Sequence, residues 1–455
     1  MHRIAISGLV ALAAVLGGGA VSATAMAQHP TAAAARPTTA GWADSVAAVR
    51  AGRAVAMRTA RTAVAAYQGQ AEIGEPLISC VLATDCLGVE GASSQSVGGG
   101  PSVPTRVARW NGSSWKGVGV TLPKGARSDD LLGVSCKSAK SCLVVGDYYT
   151  STSQSAASRV LALSYNGTSL RPTSSVPLPK GATNVAFAGV SCVTTRYCVA
   201  IGVAEGNSGP FGSSGSLIII ETWNGAKWTL RAAVASAGKT TVLEPSVVSC
   251  ATSSFCVLAG TELSFSSNSG SAKLYAASWN GKKLTTMKPA AVGRSEDYVE
   301  ATDVSCATAS NCAVTVADLG EATSGPGSIT AFTEIWNGKA WQLGKVAWPK
   351  GTAESFTLGV SCYAAHSCEA VGMDGASTAA TAPFDAAAVS FTGTAGALQT
   401  VPTPPKGHSS IFADVSCLPW GSCVATGETG KSTASSGAVM TGVWNGKAWK
   451  LDPGF

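Results

Sequence analysis

Fourteen cysteines are the most conspicuous chemistry in this 455-residue chain. They form seven pairs of one spacing, C-x5-C: Cys80 with Cys86, Cys136 with Cys142, Cys192 with Cys198, Cys250 with Cys256, Cys306 with Cys312, Cys362 with Cys368, and Cys417 with Cys423. A zinc site needs C-x2–4-C spacing or histidine partners. Five residues separate each pair, and only His29, His366 and His408 lie beyond residue 27. The spacing instead suits a disulfide across a short hairpin. After each pair comes a carboxylate: Glu90, Asp147, Glu205, Glu262, Asp318, Asp374 and Glu428. Others, Asp130, Glu244, Glu300 and Glu354, precede a pair. Converging, these acids would bind a sugar, a cation or a basic partner; dispersed, they are solvated loop carboxylates. Their offsets from the second cysteine vary between four and seven residues, and no D-x-D-x-D calcium loop occurs.

The elements that must position these groups are repeats. First cysteines recur at intervals of 56, 56, 58, 56, 56 and 55 residues. An aromatic-turn motif keeps the same phase: WNGSSW at Trp110, YNGTSL at Tyr165, WNGAKW at Trp223, WNGKKL at Trp279, WNGKAW at Trp336, FTGTAG at Phe391 and WNGKAW at Trp444. Each unit reads as four strands, A to D, with the cysteines closing the A–B hairpin. An apolar strand among small, Gly-rich neighbours holds its register weakly, and a covalent staple fixes it. Asn-Gly between C and D signals a type I′ turn, which requires positive φ at both central residues. The flanking aromatics, Trp110 and Trp115 for example, would pack across that hairpin. Strand D runs into Pro-Lys-Gly at Pro123, Pro179, Pro349 and Pro405, as an exposed outer edge would. Asn111-Gly112-Ser113 and Asn166-Gly167-Thr168 match glycan acceptors, but a turn explains both asparagines.

Seven such units predict an all-β, seven-bladed propeller over residues 75–455, with four antiparallel strands and one disulfide per blade. The chain is 13% charged with a net charge of +6 and no basic block, which argues against a nucleic-acid partner. Residues 1–27 read as a secretory signal: Arg3, an apolar stretch, then Ala25-Met26-Ala27 as the cleavage site. No later stretch is long and apolar enough to span a bilayer as a helix. A secreted, extracellular monomer is therefore expected. Residues 28–74 form an Ala-rich spacer and a helix-compatible segment. There Arg50, Arg53, Arg58 and Arg61 fall on one side, either touching anionic polymers or forming a solvated face.

The strand-B glycine, the aromatic before the C–D turn, the second tryptophan and the proline after it give residues 76–455 a pattern. It resembles kelch and galactose-oxidase-type β-propellers. It is also similar to secreted actinobacterial repeat proteins built on SC…C.AVG…WNG..W. Kelch repeats carry a double glycine after strand B; here a single one stands at Gly146, Gly202, Gly260, Gly372 and Gly427. A copper-radical oxidase would need an unpaired cysteine with several Tyr and His ligands, which the paired cysteines and two propeller histidines do not supply.

In this architecture the A–B and C–D turns share one face, and the long, varied B–C loops and D–A connections share the other. Function usually sits on varied loops over a rigid scaffold. The expected function is therefore non-catalytic binding of an extracellular polysaccharide or protein through the B–C/D–A face. The alternative is a carbohydrate-active hydrolase or lyase using two facing carboxylates at the channel mouth. Catalysis needs a constellation that breaks the repeat. The candidates, Tyr148, Tyr149, Tyr298, Asp303 and His408, suggest no triad, and His366 lies inside a Cys–Cys turn on the opposite face. No cofactor is expected apart from a divalent cation at the acidic residues.

Overall fold

The computed structural model describes residues 76–90, 105–151, 157–206, 216–235, 241–265, 270–290, 299–318, 330–376, 383–431 and 438–455. The expected signal sequence, spacer and arginine segment, together with Tyr298, lie outside the described residues, as does most of each B–C connection.

The fold is a seven-bladed propeller, one four-stranded antiparallel sheet per repeat. In the third blade, A is Ala182–Thr194, B is Tyr197–Gly206, C is Ser216–Trp223 and D is Trp228–Ala235. Each first cysteine lies directly opposite its second in the A–B register. All seven expected disulfides form, each within one blade. Cys80 is bonded to Cys86, Cys136 to Cys142, Cys192 to Cys198 and Cys250 to Cys256. Cys306 is bonded to Cys312, Cys362 to Cys368 and Cys417 to Cys423. These residues are therefore structural staples, and none of their thiols is left to bind a ligand or a metal. The last blade supplies its four strands from its own repeat, ending at Trp449–Pro453.

Neighbouring sheets face one another, and each seam buries its own apolar cluster. Phe187, Ile219 and Trp228 meet Leu143 and Val145 between blades two and three. Ile78, Cys86 and Trp110 of the first blade meet Val424 of the seventh, closing the ring. A belt of hydrogen bonds runs through all seven seams. The serine before each first cysteine accepts the backbone N–H of the next blade's first cysteine, at 2.9–3.0 Å. The belt passes from Ser79 to Cys136, around to Ser361 and Cys417, and returns from Ser416 to Cys80. Trp115 donates to Thr441 Oγ1 at 2.7 Å across the closing seam, and Phe455 packs on Trp115 with ring centroids 4.7 Å apart.

Three local expectations are corrected. The C–D turn is not type I′: Gly112, Gly167, Gly225, Gly281, Gly338 and Gly446 have φ of 88–100°, but their asparagines do not have positive φ. Each Asn-Gly opens a four-residue loop in which the asparagine Oδ1 accepts the next two free N–H groups, as Asn111 does from Ser113 at 3.0 Å and Ser114 at 2.8 Å. Pro-Lys-Gly does not end strand D. It forms the turn into the next strand A, with His408 N–H donating to Pro405 at 2.9 Å and φ of 79° at Gly407. The D edge is protected differently in two places: Gly119–Val120 and Lys345–Val346 pair in parallel with strand D of the following blade.

Candidate functional site

The strand-B glycine sets the geometry from which the carboxylates emerge. Strand A carries an extra residue opposite it, as between Phe187 and Gly189, so one strand-A carbonyl is thrust toward strand B. A Cβ at Gly146, Gly202, Gly260, Gly372 or Gly427 would lie 1.8–2.0 Å from that carbonyl oxygen. Glycine leaves room for the approach at these five positions; in the fifth blade, where strand A also carries an extra residue, Val316 occupies the equivalent position. Glu90 stands in this slot in the first blade, four residues after Cys86, with its carboxylate buried and bound to Arg106 Nε at 2.8 Å.

Strand alternation then separates the seven acids. Side chains an even number of residues after the second cysteine share its face, and odd ones take the other. Glu90, Glu262, Asp318 and Asp374, after Cys86, Cys256, Cys312 and Cys368, therefore point toward the preceding blade. Asp147, Glu205 and Glu428, after Cys142, Cys198 and Cys423, point toward the following blade, on the face that carries the serine belt. Asp147 is buried, opposite Asp130, and Glu205 is buried, accepting from Asn184 Nδ2 at 2.9 Å. Glu262, Asp318, Asp374 and Glu428 are half-buried at strand ends that lead into the B–C connections.

Besides Asp130 and Asp147, two further pairs of acids are brought together. Glu244, at the start of the fourth blade, is buried and pushed up to about 8, by burial first and by the Glu205 charge second. Asp374 lies opposite Asp385 across strands B and C; burial first, then Asp385, raises it. Glu300 is buried in the fifth blade. The face is not uniformly acidic, because Lys124, Lys180, Lys350 and Lys406 are exposed on the D–A turns.

Of the residues that break the repeat, Asp303 and Tyr148 have structural partners. Asp303 accepts from Val304 N–H at 2.7 Å and from Val360 N–H of the next blade at 2.8 Å. Asp414 repeats the device toward Ile78 at 2.9 Å. Tyr148 packs against the core between blades one and two, with Tyr149 beside it half-buried. His408 begins strand A of the seventh blade, its Nδ1 buried and without a partner among the described residues.

Three further buried glutamates carry no repeat signal in the sequence. Glu221 and Glu369 are pushed up to about 8 and Glu334 to about 7, each mainly by burial. Glu334 accepts Ala290 N–H at 3.0 Å across a seam. Glu369 accepts from Gln399 at 3.2 Å, and Gln399 accepts the Trp449 indole N–H of the next blade at 2.5 Å. What marks such residues is an acid within an apolar strand, as in LIIIETW or SCEAVG.

The repeated tryptophans are absorbed by the blades. Trp110 and Trp336 donate to carbonyls of their own A–B turns at 3.1 Å, and Trp228 reaches Thr173 of the preceding blade at 2.9 Å. Trp110/Trp115, Trp223/Trp228, Trp336/Trp341 and Trp444/Trp449 pack as tilted pairs 5.2–5.7 Å apart. Among the described residues, no three His, Cys, Asp or Glu side chains are placed to hold a metal ion, and no helix is long and apolar enough to cross a membrane.

No known family profile matches the chain, and no curated protein matches it. Solved structures similar to it include an α-L-arabinanase of Penicillium chrysogenum, at 9% identity and a TM-score of 0.40 over 67% of this chain and 88% of that one. The β-propeller domain of the Trilobed protease from Pyrococcus furiosus is 7% identical, with a TM-score of 0.43 over 84% and 97% of the two chains. A Hadza microbial sialidase is 11% identical, with a TM-score of 0.40 over 84% of this chain and 65% of that one. Likeness at this level carries nothing about activity.

Proposed function

We propose that the protein is a secreted, non-catalytic binding module that engages an extracellular polysaccharide or protein through its B–C/D–A face. One observation carries the reading. Every blade is closed at one end by a disulfide and a tight loop, while all B–C and D–A connections leave from the other end. Half-buried Glu262, Asp318, Asp374 and Glu428 stand at the base of those connections as hydrogen-bond acceptors on a rigid support. Seven disulfides suit an oxidising, extracellular setting. The test is a thermal-shift and co-sedimentation screen against peptidoglycan, soluble polysaccharides and divalent cations. Binding of at least one of these ligands should be lost in the combined variant Glu262→Gln, Asp318→Asn, Asp374→Asn, Glu428→Gln; every binding unchanged in that variant contradicts the reading.

A second reading, a carbohydrate-active hydrolase or lyase, is favoured by the Glu205–Glu244 pair. A carboxyl pushed up to about 8 beside a second carboxyl matches an acid and its partner. Polysaccharide turnover abolished by Glu244→Gln would replace binding with catalysis.

A further inference from the structure

We infer that the A–B face, opposite the one just discussed, carries a separate subsite for neutral polysaccharide, built on Trp420. The inference does not rest on the proposed function. Of the eleven tryptophans among the described residues, ten are buried or half-buried; Trp420 alone is exposed, at 64%. Packing therefore accounts for the other tryptophans and leaves this one unexplained.

The turn that presents Trp420 is rigid. It reads Leu418-Pro419-Trp420-Gly421-Ser422 between the disulfide-bonded Cys417 and Cys423. Leu418 is buried; its N–H donates to Ser422 at 2.9 Å, and Gly421 N–H donates back to Leu418 at 2.8 Å. An indole held this way loses little freedom when a ligand stacks on it. The repeat is broken here and in the preceding blade. In blades two to five, a Ser or Thr two residues after the first cysteine accepts the N–H of the fourth residue at 3.1–3.4 Å. In blades six and seven those positions are Ala364 and Pro419, and the fourth residues, His366 and Gly421, have φ of 65° and 84°. His366 is the one non-glycine with positive φ among the described residues. Tyr363 lies against this turn: a Cβ on Gly421 would be 3.6 Å from its ring. On the other side, the A–B turn of the first blade exposes Leu82 at 49%.

The chemistry of the sector selects its ligand. Residues 363–367 and 418–422 contain no carboxylate, ammonium or guanidinium group, and Asp85 in the adjoining turn is paired with Arg109. Within these two turns an ionic partner has nothing to pair with. Trp420 and Leu82 are the two exposed large apolar side chains on these turns among the described residues. A stable protein interface takes about 800 Å² from each partner, far more than one indole and one leucine provide. A sugar ring has the area of an indole, apolar C–H groups to lay on it, and hydroxyls for polar side chains such as His366, Ser367 and Thr84 that the adjoining A–B turns carry.

The test is affinity electrophoresis of the secreted protein in gels containing hydroxyethylcellulose, laminarin, xylan or galactomannan. At least one polymer should retard the wild-type protein. Trp420→Ala should weaken that retardation at least about tenfold, while Trp420→Phe keeps part of it; intact mass showing all seven disulfides confirms the fold of each variant. The retarding polymer should also shield the exposed indole from iodide quenching. The four-carboxamide variant of the opposite face should be retarded like wild type, which separates this subsite from the proposed function. The inference is overturned if no polymer retards the protein, if Trp420→Ala migrates as wild type, or if that variant instead changes the oligomeric state, which would show a second copy covering the indole.

Discussion

At five of the seven strand-B slots a single methyl group is more than the space allows. At Gly372 a Cβ would sit 1.9 Å from the Phe356 carbonyl oxygen, with backbone on all sides. Gly117 has nothing within 4 Å. Glycine-to-alanine at the two sites should therefore diverge: about 3 kcal/mol or more lost at Gly372, and within about 0.5 kcal/mol of wild type at Gly117. Urea unfolding of the two variants measures this, and equal effects would contradict the bulge geometry. The glycines were legible as a recurring residue, but their cause was not, because the offending carbonyl lies on another strand, just before that strand's extra residue. Residue type was likewise readable for Asp303 and the serine before each cysteine, whereas their partners lie about 57 residues away.

Among the elements, strand alternation decides which carboxylates can act together. Offsets of four, five, six and seven from the second cysteine already encoded the split into two faces, yet the acids resembled one ring because each follows strand B. The buried glutamates give this scale its prediction. Glu221, Glu244 and Glu369 lie near 8 and Glu334 near 7, against about 4.3 in an unfolded chain. The folded state thus holds these protons more tightly. The stability they confer is complete below about pH 4.3 and is lost as pH rises through 7 to 8. Each unit of elevation is worth about 1.4 kcal/mol. The melting temperature should fall between pH 5 and pH 8.5, and Glu369→Gln, which keeps an acceptor for Gln399, should flatten that fall. A melting temperature that rises over this interval would contradict the burial of these groups as neutral acids. Sequence could not place them, since burial within a seam depends on the neighbouring blade.

For the whole molecule, closure rests on small contacts repeated seven times. Each disulfide closes a short loop and contributes about 2 kcal/mol on the loop-entropy account. The bridges stay within blades and cannot close the ring; that falls to the serine belt, the seam cores and the contacts of Trp115 with Thr441 and Phe455. The blade count and the cysteine pairing were legible because two signals recur in phase. The closing seam was not, since nothing in the last repeat marks the first as its neighbour. The most direct test is an experimental density map of the protein. It should display seven sectors around one axis, each with its own Cys–Cys bridge, and Ser416 Oγ within hydrogen-bond distance of the Cys80 N–H. An open superhelix, another number of sectors, or bridges running between blades would contradict the account.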